Sequence, residues 1–247
     1  MNIGLCLSGG GTRGVFHIGV LSALRELKIY PSVVSGTSAG ALVGALFCAG
    51  VAPTVILEEA KSVKWYHFLG ARIPKNGISD LSIIKQLLQK YISKDAFENL
   101  NIPLHIAATN MSLGEVTVFN TGPLFQVVMA SCAVPFLFEP VIIDQKIYMD
   151  GGITMNLPVS PIVPSCDQVI ASNLIPIESM AVNKIKGIQQ TLTRVLEISI
   201  NQNTKFQKPL AHKLIETAEI CKYKRYDLNN PDALYKLGYK TAMEILG

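Results

Sequence analysis

Ser38 stands at the centre of the stretch "GTSAG", residues 36 to 40, which has the spacing G-x-S-x-G. In this arrangement a serine nucleophile is exposed at a sharp turn between a strand and a helix, and Gly36 and Gly40 relieve crowding on either side of it. The serine would also lie at the N-terminus of the following helix, where the helix dipole favours developing negative charge. A serine that merely caps the helix would give the same five letters, but the predicted strand before it and the helix after it favour the nucleophile.

A second stretch, "GGGTRG" at residues 9 to 14, crowds four glycines behind a short apolar run. The backbone amides of Gly10, Gly11 and Thr12 could donate to the oxygen that becomes negative when a serine attacks an ester. Arg13 either orients a phosphate of the substrate or anchors the turn. A charge that adjoins a tight turn commonly anchors it, and we favour that role.

The same loop has a competing interpretation as a nucleotide site. Gly9, Gly11 and Gly14 match the dinucleotide pattern G-x-G-x-x-G, which needs an acidic residue about twenty positions later, at the end of the second strand. The chain has "VVS" at residues 33 to 35 and no carboxylate there. We therefore favour an oxyanion loop over a cradle for phosphates.

The elements around these loops alternate strand, turn and helix, which is typical of a parallel sheet covered by helices. Apolar runs predict the strands, and apolar residues at helical spacing predict the helices. No repeat or low-complexity linker interrupts the pattern, so we expect one domain over residues 1–247. The predicted strands are 2–7, 32–35, 104–109, 115–119, 141–143, 146–149 and 168–171, and the predicted helices are 15–28, 39–49, 80–91, 123–131, 184–203 and 232–246; residues 205–226 are not assigned.

Composition excludes several classes of protein. The 22 basic and 18 acidic residues are scattered, which argues against a nucleic-acid-binding surface. The five cysteines are odd in number and widely spaced, which predicts free thiols in a reducing compartment. We expect no signal peptide, because residues 2–7 are too short for its apolar core and no basic segment precedes them, and the longest apolar run, residues 39–52, is too short to span a bilayer. We expect a cytoplasmic protein that contacts a membrane, if at all, only at its surface.

One aromatic segment could make such a contact. Residues 63–77, "VKWYHFLGARIPKNG", hold the single tryptophan beside a tyrosine, a phenylalanine and three basic residues. This mixture suits a lid or a patch on a membrane surface. Core packing explains the same residues, and we slightly favour it.

Four blocks of the sequence together resemble the patatin-like phospholipase family, which are serine acyl hydrolases with a Ser-Asp dyad. The blocks are "GGGTRG", "GTSAG", "ASCAVPFLFEP" at residues 130–140 and "DGG" at residues 150–152, in the order and with the approximate spacing of the family. "NLPV" at residues 156–159 and the closing "LGYKTA" also fit its compact bacterial members. The resemblance covers nearly the whole chain. It implies an α/β fold, a three-layer α/β/α sandwich with a mostly parallel central sheet.

Carried over residue by residue, the resemblance implies that Ser38 is the nucleophile and Asp150 the base, with Gly151 and Gly152 completing the D-G-G block. The positions that fall on the family's oxyanion loop are Gly9, Gly10, Gly11, Arg13 and Gly14.

A base that is not histidine needs a physical explanation. An aspartate in water has a pKa near ~3.9 and is a poor base. Burial without a cationic partner would raise that pKa and make the carboxylate a better proton acceptor. The alternatives for a third catalytic group are His17, His67, His105 and His212, but none lies in a recognisable catalytic setting. We interpret all four as structural.

These expectations combine into a serine acyl-ester hydrolase of the phospholipase A or lysophospholipase type, whose partner is a lipid or another acyl ester. Asp150 takes the proton of Ser38, the serine attacks the acyl carbonyl, and water then releases the fatty acid. The scheme requires no metal and no cofactor. An acyltransferase would use the same acyl-enzyme. An alternative outside the enzymes is a non-catalytic module that binds a nucleotide or a lipid.

Overall fold

The structure, a computed structural model, describes residues 1–62, 81–176, 185, 187–225 and 229–247. The aromatic segment 63–77 lies outside the described residues, and His67 lies outside them too. Eight strands of the described chain form one sheet. They are β1 (Ile3–Leu7), β2 (Val33–Thr37), β3 (Leu104–Asn110), β4 (Glu115–Phe119), β5 (Val141–Ile143), β6 (Lys146–Asp150), β7 (Gln168–Ser172) and β8 (Lys213–Ile215).

The sheet is mixed, with a parallel centre. Its order is β5-β6-β3-β2-β1-β7-β8, and β4 also pairs with β3. The pairs β3–β2, β2–β1, β1–β7 and β7–β8 are parallel, whereas β4 and β6 run antiparallel to β3, and β5 runs antiparallel to β6. The predicted α/β fold with a mostly parallel central sheet is therefore confirmed, with an antiparallel extension on the β3 side.

The helices of the described chain agree with the predictions except at a few places. They are α1 (Val15–Glu26), α2 (Ala39–Cys48), α3 (Pro53–Ser62), α4 (Ser82–Tyr91), α5 (Leu124–Cys132), α6 (Ile188–Gln207) and α7 (Pro231–Leu246). Helix α3 was not predicted, and few of its residues are buried. The unassigned stretch 205–226 contains the end of α6 and the strand β8, which has only three residues and is too short to show a periodic pattern.

Strand side chains alternate between two apolar layers, because successive residues of a strand point to opposite faces of the sheet. Leu5 and Leu7 join the larger core, which lies between the sheet and helices that include α1, α2 and α5. Cys6 between them joins a smaller core that is completed by residues of the stretch 157–163. The second face of the parallel centre is thus covered partly by short turns instead of long helices.

The five cysteines are free, as predicted. Among the described helices, none combines the length and the apolar character needed to cross a bilayer.

Candidate active site

Ser38 lies in the sharp turn that joins β2 to α2. Its backbone has φ 52° and ψ −121°, a conformation that costs a non-glycine residue roughly 1–3 kcal/mol. The flanking glycines make the turn possible. A Cβ on Gly36 would lie 2.6 Å from the carbonyl oxygen of Gly40, and a Cβ on Gly40 would lie 2.1 Å from the carbonyl oxygen of Leu7. The strand-turn-helix context expected for a serine nucleophile is present.

A buried hydroxyl holds this turn in place. The Ser38 amide donates to Ser131 Oγ over 2.8 Å, and the Ser131 hydroxyl donates to the Ala107 carbonyl oxygen over 2.7 Å. Ser131 lies on α5 and is fully buried. Helix α5 and strand β3 therefore both restrain the positive-φ conformation of Ser38. Ser131 belongs to the block 130–140, but no local pattern in the sequence indicates this role.

The register of β3 brings Asp150 close to Ser38, although they are 112 positions apart in the sequence. Ala107 of β3 pairs with Thr37, the residue before Ser38, and the next residue, Ala108, pairs with Asp150 at the end of β6. The backbone of Asp150 is fixed on both sides. Its amide donates to the Ala133 carbonyl over 2.9 Å, and its carbonyl accepts from the Thr109 hydroxyl over 2.8 Å.

The Asp150 carboxylate is buried, and among the described residues it forms no ion pair. Its side chain accepts a hydrogen bond from the Gly152 amide over 2.7 Å. Burial raises the pKa of Asp150 from 3.8 to about 6, and hydrogen bonds with the Ser38 side chain and the Gly152 amide oppose part of that rise. A carboxylate in this state is ionised at neutral pH yet accepts a proton more readily than an exposed one. This is the perturbation that the sequence analysis expected for a base that is not histidine.

The glycine loop lies next to the same two side chains. A small cavity is lined by Gly9, Gly10 and Gly11 together with Ser38 and Asp150. The Gly9 amide donates to the Asn156 carbonyl over 3.0 Å. Within the described residues nothing accepts a hydrogen bond from the amides of Gly10 or Gly11. These two amides are the donors that a developing oxyanion could use.

The rest of the loop has structural contacts, and the predicted donor role of the Thr12 amide is wrong. That amide already donates to the Arg225 carbonyl over 2.8 Å. The Arg13 guanidinium is buried and donates to the carbonyls of Tyr223 over 2.8 Å and Leu174 over 3.1 Å, so it anchors the loop, as favoured above. Gly14 packs against α2, where a Cβ would lie 2.9 Å from the Cβ of Ala39.

No histidine among the described residues lines the cavity around Ser38. His17 is fully buried below the glycine loop, with Nε2 2.9 Å from the Ser8 carbonyl and Nδ1 2.9 Å from Ser172 Oγ. Because a carbonyl can only accept, Nε2 carries the proton and Nδ1 accepts from the Ser172 hydroxyl. Burial lowers the pKa of His17 to about 4, so the ring is neutral and braces the loop. His212 accepts from the Val169 amide over 3.1 Å, away from the cavity.

An apolar channel opens beside Ser38. It has about 1020 Å³ of empty space, part of it open to solvent, and its wall includes side chains of α1, α2 and α4. The block 130–140 contributes Val134, Leu137 and Phe138 to this wall, and Val134 also lines the small cavity. The two spaces share Gly11, Ser38, Val134 and Arg225, so Ser38 lies where the small cavity that contains Asp150 meets the apolar channel.

Two asparagines that the sequence analysis did not single out connect the parts of the site. Asn203 on α6 accepts from the Asn156 amide over 2.9 Å and donates to the Gly152 carbonyl over 2.9 Å. The Asn156 carbonyl in turn holds the Gly9 amide. The glycine loop and the D-G-G turn are therefore joined through one chain of hydrogen bonds. No local pattern could have found Asn203, because its partners lie about fifty positions away.

Among the described residues, no group of three or more histidine, cysteine, aspartate or glutamate side chains could hold a metal ion. We therefore assign no residue to a metal or cofactor.

Comparison with known proteins gives an independent view. A family model described as patatin-like phospholipase matches residues 5–163. A Mycobacterium tuberculosis protein, named as an uncharacterized NTE family protein, is 34% identical over 180 residues, which are 70% of this chain and 49% of the relative. The neuropathy target esterase sws of Drosophila melanogaster is 31% identical over 167 residues, which are 64% of this chain and 12% of the relative. The chain thus spans about half the length of the mycobacterial relative.

Solved structures show the same fold at low sequence identity. VipD from Legionella pneumophila has a TM-score of 0.62 and 16% identity, and the match covers 98% of this chain and 66% of VipD. A chain from the complex of SpcU with ExoU of Pseudomonas aeruginosa has a TM-score of 0.54 and 15% identity, with 99% of this chain and 52% of that chain covered. These likenesses support the fold alone.

Proposed function

Because this chain belongs to the patatin-like phospholipase family, we propose that it is a serine acyl-ester hydrolase of the phospholipase A or lysophospholipase type. In this proposal Ser38 is the nucleophile, Asp150 is the base, and the amides of Gly10 and Gly11 form the oxyanion hole. The observation that carries the proposal is geometric: one small cavity is lined by Ser38 in its strained turn, by the buried Asp150 and by the glycine loop that holds the Gly10 and Gly11 amides.

The first half of the reaction forms an acyl-enzyme. As Ser38 Oγ attacks the acyl carbonyl carbon, its proton passes to the Asp150 carboxylate. The former carbonyl oxygen of the ester becomes negative and accepts hydrogen bonds from the glycine-loop amides. In comparable sites each such donor contributes about 3 kcal/mol of transition-state stabilisation. Collapse of the tetrahedral intermediate expels the alkoxide, which takes the proton back from Asp150.

The second half repeats these steps with water as the nucleophile. Asp150 takes a proton from the water, the hydroxide attacks the acyl carbon, and Ser38 leaves with that proton, which frees a fatty acid. The acyl chain lies in the apolar channel throughout, because burial of its methylenes contributes about 0.8 kcal/mol each. The small cavity next to Asp150 is where the alcohol part of the ester and the attacking water would lie.

A fluorophosphonate probe tests this assignment. We expect the wild-type protein to be labelled covalently and Ser38→Ala to remain unlabelled, with mass spectrometry locating the adduct on residue 38. Ser32→Ala is the matched control, because it removes an exposed serine hydroxyl that lines neither cavity. Labelling of Ser38→Ala at the wild-type rate would refute the role of Ser38, and absence of labelling in the wild type would favour a binding module.

Product analysis separates hydrolysis from transfer. The wild-type protein, mixed with lysophosphatidylcholine in neutral detergent micelles, should release free fatty acid at a rate that does not depend on added alcohol. If product appears only as a new ester when glycerol is added, the protein is an acyltransferase instead.

A further inference from the structure

The side-chain oxygen of Asn156 faces the reacting groups, and the reaction scheme gives it no role. Asn156 is 1% exposed and lines the small cavity together with Ser38 and Asp150. Its Nδ2 donates to the Gly9 carbonyl over 3.5 Å, and a carbonyl can only accept, so this contact fixes which end of the amide is the oxygen. Among the described residues no group donates to Asn156 Oδ1. Because buried polar atoms are almost always hydrogen-bonded, this oxygen needs a partner from within the cavity.

The position of Asn156 Oδ1 follows from its close contacts with two glycines. A Cβ on Gly152 would lie 2.9 Å from Asp150 Oδ1 and 3.1 Å from Asn156 Oδ1, so the two oxygens are no further apart than the sum of these distances. A Cβ on Gly9 would lie 2.5 Å from Asn156 Oδ1 and 3.3 Å from Ser38 Cβ. A water molecule makes O–H···O hydrogen bonds of roughly 2.5–3.0 Å, so one water can bridge Asp150 and Asn156 beside Ser38.

The second half of the proposed reaction needs such an acceptor. The attacking water gives one proton to Asp150, and its second O–H remains inside the cavity. Among the described lining residues, the side chains from α6 are apolar, and the guanidinium of Arg225 has donors only. Ser38 is esterified at this stage. Without an acceptor for the second O–H, the water would lose a hydrogen bond that it makes in bulk solvent, which disfavours its entry. Asn156 Oδ1 supplies that acceptor.

An amide suits this position better than a carboxylate. Asn156 carries no charge and does not take up a proton at neutral pH, so it does not compete with Asp150 as a base. A second carboxylate at the same distance from Asp150 would repel the first and raise its pKa further. The amide therefore accepts from the water and leaves the proton transfer to Asp150.

We propose that Asn156 is a catalytic residue of the hydrolytic step, whose side-chain oxygen accepts the second O–H of the water that attacks the acyl-enzyme. This inference rests on the proposed function, since it assumes that Ser38 carries an acyl group. One water proton passes to Asp150 as the water oxygen bonds to the acyl carbon. The bond between that carbon and Ser38 Oγ then breaks, Ser38 Oγ takes the proton from Asp150, and the second water proton leaves with the fatty acid.

An alcohol does not depend on Asn156 in the same way. Methanol has one O–H, which Asp150 takes, and its methyl group needs no acceptor and can face the apolar wall. Asn156 therefore assists water selectively, and its side-chain oxygen makes the acyl-enzyme prefer hydrolysis to transfer.

Competition between water and methanol for the acyl-enzyme tests this role. With nitrophenyl butyrate and a fixed methanol concentration, gas chromatography measures the two products, butyric acid and methyl butyrate, and Ser38→Ala supplies the uncatalysed background. We expect Asn156→Leu, which has a similar size but no acceptor, to raise the ratio of methyl butyrate to butyric acid roughly 10-fold or more over wild type. This ratio depends neither on the amount of folded protein nor on the rate at which the acyl-enzyme forms. A loss of structure alone therefore leaves it unchanged.

Two further variants separate the oxygen of Asn156 from its nitrogen and from its location. Asn156→Asp keeps an acceptor but loses the donor to the Gly9 carbonyl, and its ratio should stay within about threefold of wild type. Asn120→Leu is the matched control, because it removes an exposed asparagine that lines neither cavity, and it should leave the ratio unchanged. If Asn156→Leu does not fold, Asn156→Val also lacks the acceptor and carries the same expectation.

The outcomes distinguish this inference from the proposed function. An unchanged ratio in the apolar variant, or equal changes in Asn156→Leu and Asn156→Asp, would overturn the inference while the proposed function stands, since both products still come from an acylated Ser38. If the proposed function is wrong, the wild-type protein releases no nitrophenol above the Ser38→Ala background and forms neither product. That result would overturn both.

Discussion

Replacing Asp150 with asparagine should abolish turnover and at the same time make the folded protein more stable above pH 6. Asparagine has nearly the shape of aspartate, and its carbonyl oxygen can still accept from the Gly152 amide, which is 2.7 Å from the carboxylate. It cannot take the Ser38 proton and carries no charge. The substitution therefore removes the base and the buried charge together, without leaving a cavity.

The size of the stability change follows from the pKa of Asp150. Burial raises that pKa from 3.8 to about 6, and this difference corresponds to about 3 kcal/mol. Between these two values the unfolded chain has lost its proton and the folded protein has kept it, so the free energy of unfolding falls as the pH rises. The penalty is absent below about pH 3.8, grows up to about pH 6 and is constant above it. Asp150→Asn should thus gain up to about 3 kcal/mol over wild type at pH 8 and lose that advantage near pH 4.

Urea unfolding of both proteins at pH 8, 6 and 4.5 measures the effect. Glu115→Gln is the control, because it removes one exposed carboxylate that lines neither cavity. The second measurement is kcat/KM for a soluble nitrophenyl ester against pH, which should rise with an apparent pKa of about 6 as Asp150 ionises. An Asp150→Asn protein that is active, or that is no more stable than wild type at pH 8, would show that this reasoning is wrong.

Three further substitutions test the supports of the site. Ser131→Ala leaves the Ser38 amide without its acceptor, so we expect kcat to fall about tenfold or more with KM unchanged, and unchanged kcat would exclude a positioning role. His17→Phe removes the partner of the Ser8 carbonyl and should lower the free energy of unfolding by about 1–3 kcal/mol, whereas His17→Gln, which keeps a donor and an acceptor, should lose less in the same urea titration. Gly40→Ala brings a Cβ to 2.1 Å from the Leu7 carbonyl and should yield insoluble or unfolded protein, whereas Gly44→Ala, whose nearest contact is 3.4 Å away, should fold and give a normal circular dichroism spectrum.

The candidate nucleophile and most of the fold could be predicted from the sequence because their signals are local. The turn around Ser38 needs glycines two residues away on each side, and all of these residues lie within the five-residue stretch 36–40. Strands such as Glu115–Phe119 and Val141–Ile143 begin and end where the apolar pattern predicts. Helix α3 and strand β8 were missed because one has few buried positions and the other has three residues.

The contacts that complete the site could not be predicted in this way. Arg225 lies in the stretch that no pattern assigned, and it reaches the pocket because its backbone is held by Thr12, more than two hundred positions earlier. In the sequence, Asn203 cannot be distinguished from other polar residues of an amphipathic helix. Its role follows only from the fold, which packs α6 against the D-G-G turn. The Thr12 amide was expected to be open because the partner that occupies it, the Arg225 carbonyl, is equally distant in sequence. Long-range partners of this kind are set by the assembled fold.

In the proposed mechanism one buried carboxylate acts where many serine hydrolases use a histidine and an aspartate. An imidazole has a pKa near ~6.5 in water, and burial brings the pKa of Asp150 to about 6, so the two bases are similar in strength. They differ in charge. A histidine that accepts the proton becomes a cation and forms an ion pair with the oxyanion, whereas Asp150 becomes neutral. The negative charge therefore moves from the carboxylate, which lies next to the Gly152 amide, to the former carbonyl oxygen of the ester, which lies next to the glycine loop.

In this mechanism the rate depends on how precisely the Gly152 amide, which faces Asp150, is held relative to the glycine-loop amides, which face the developing oxyanion. That separation is controlled by a continuous series of hydrogen bonds, from the Gly9 amide to the Asn156 carbonyl, from the Asn156 amide to Asn203, and from Asn203 to the Gly152 carbonyl. Helix α6, which carries Asn203, also carries the Glu197 that pairs with Arg225. Helix α6 therefore contacts both ends of the proposed charge transfer and also holds Arg225, which lines the same small cavity as Ser38 and Asp150.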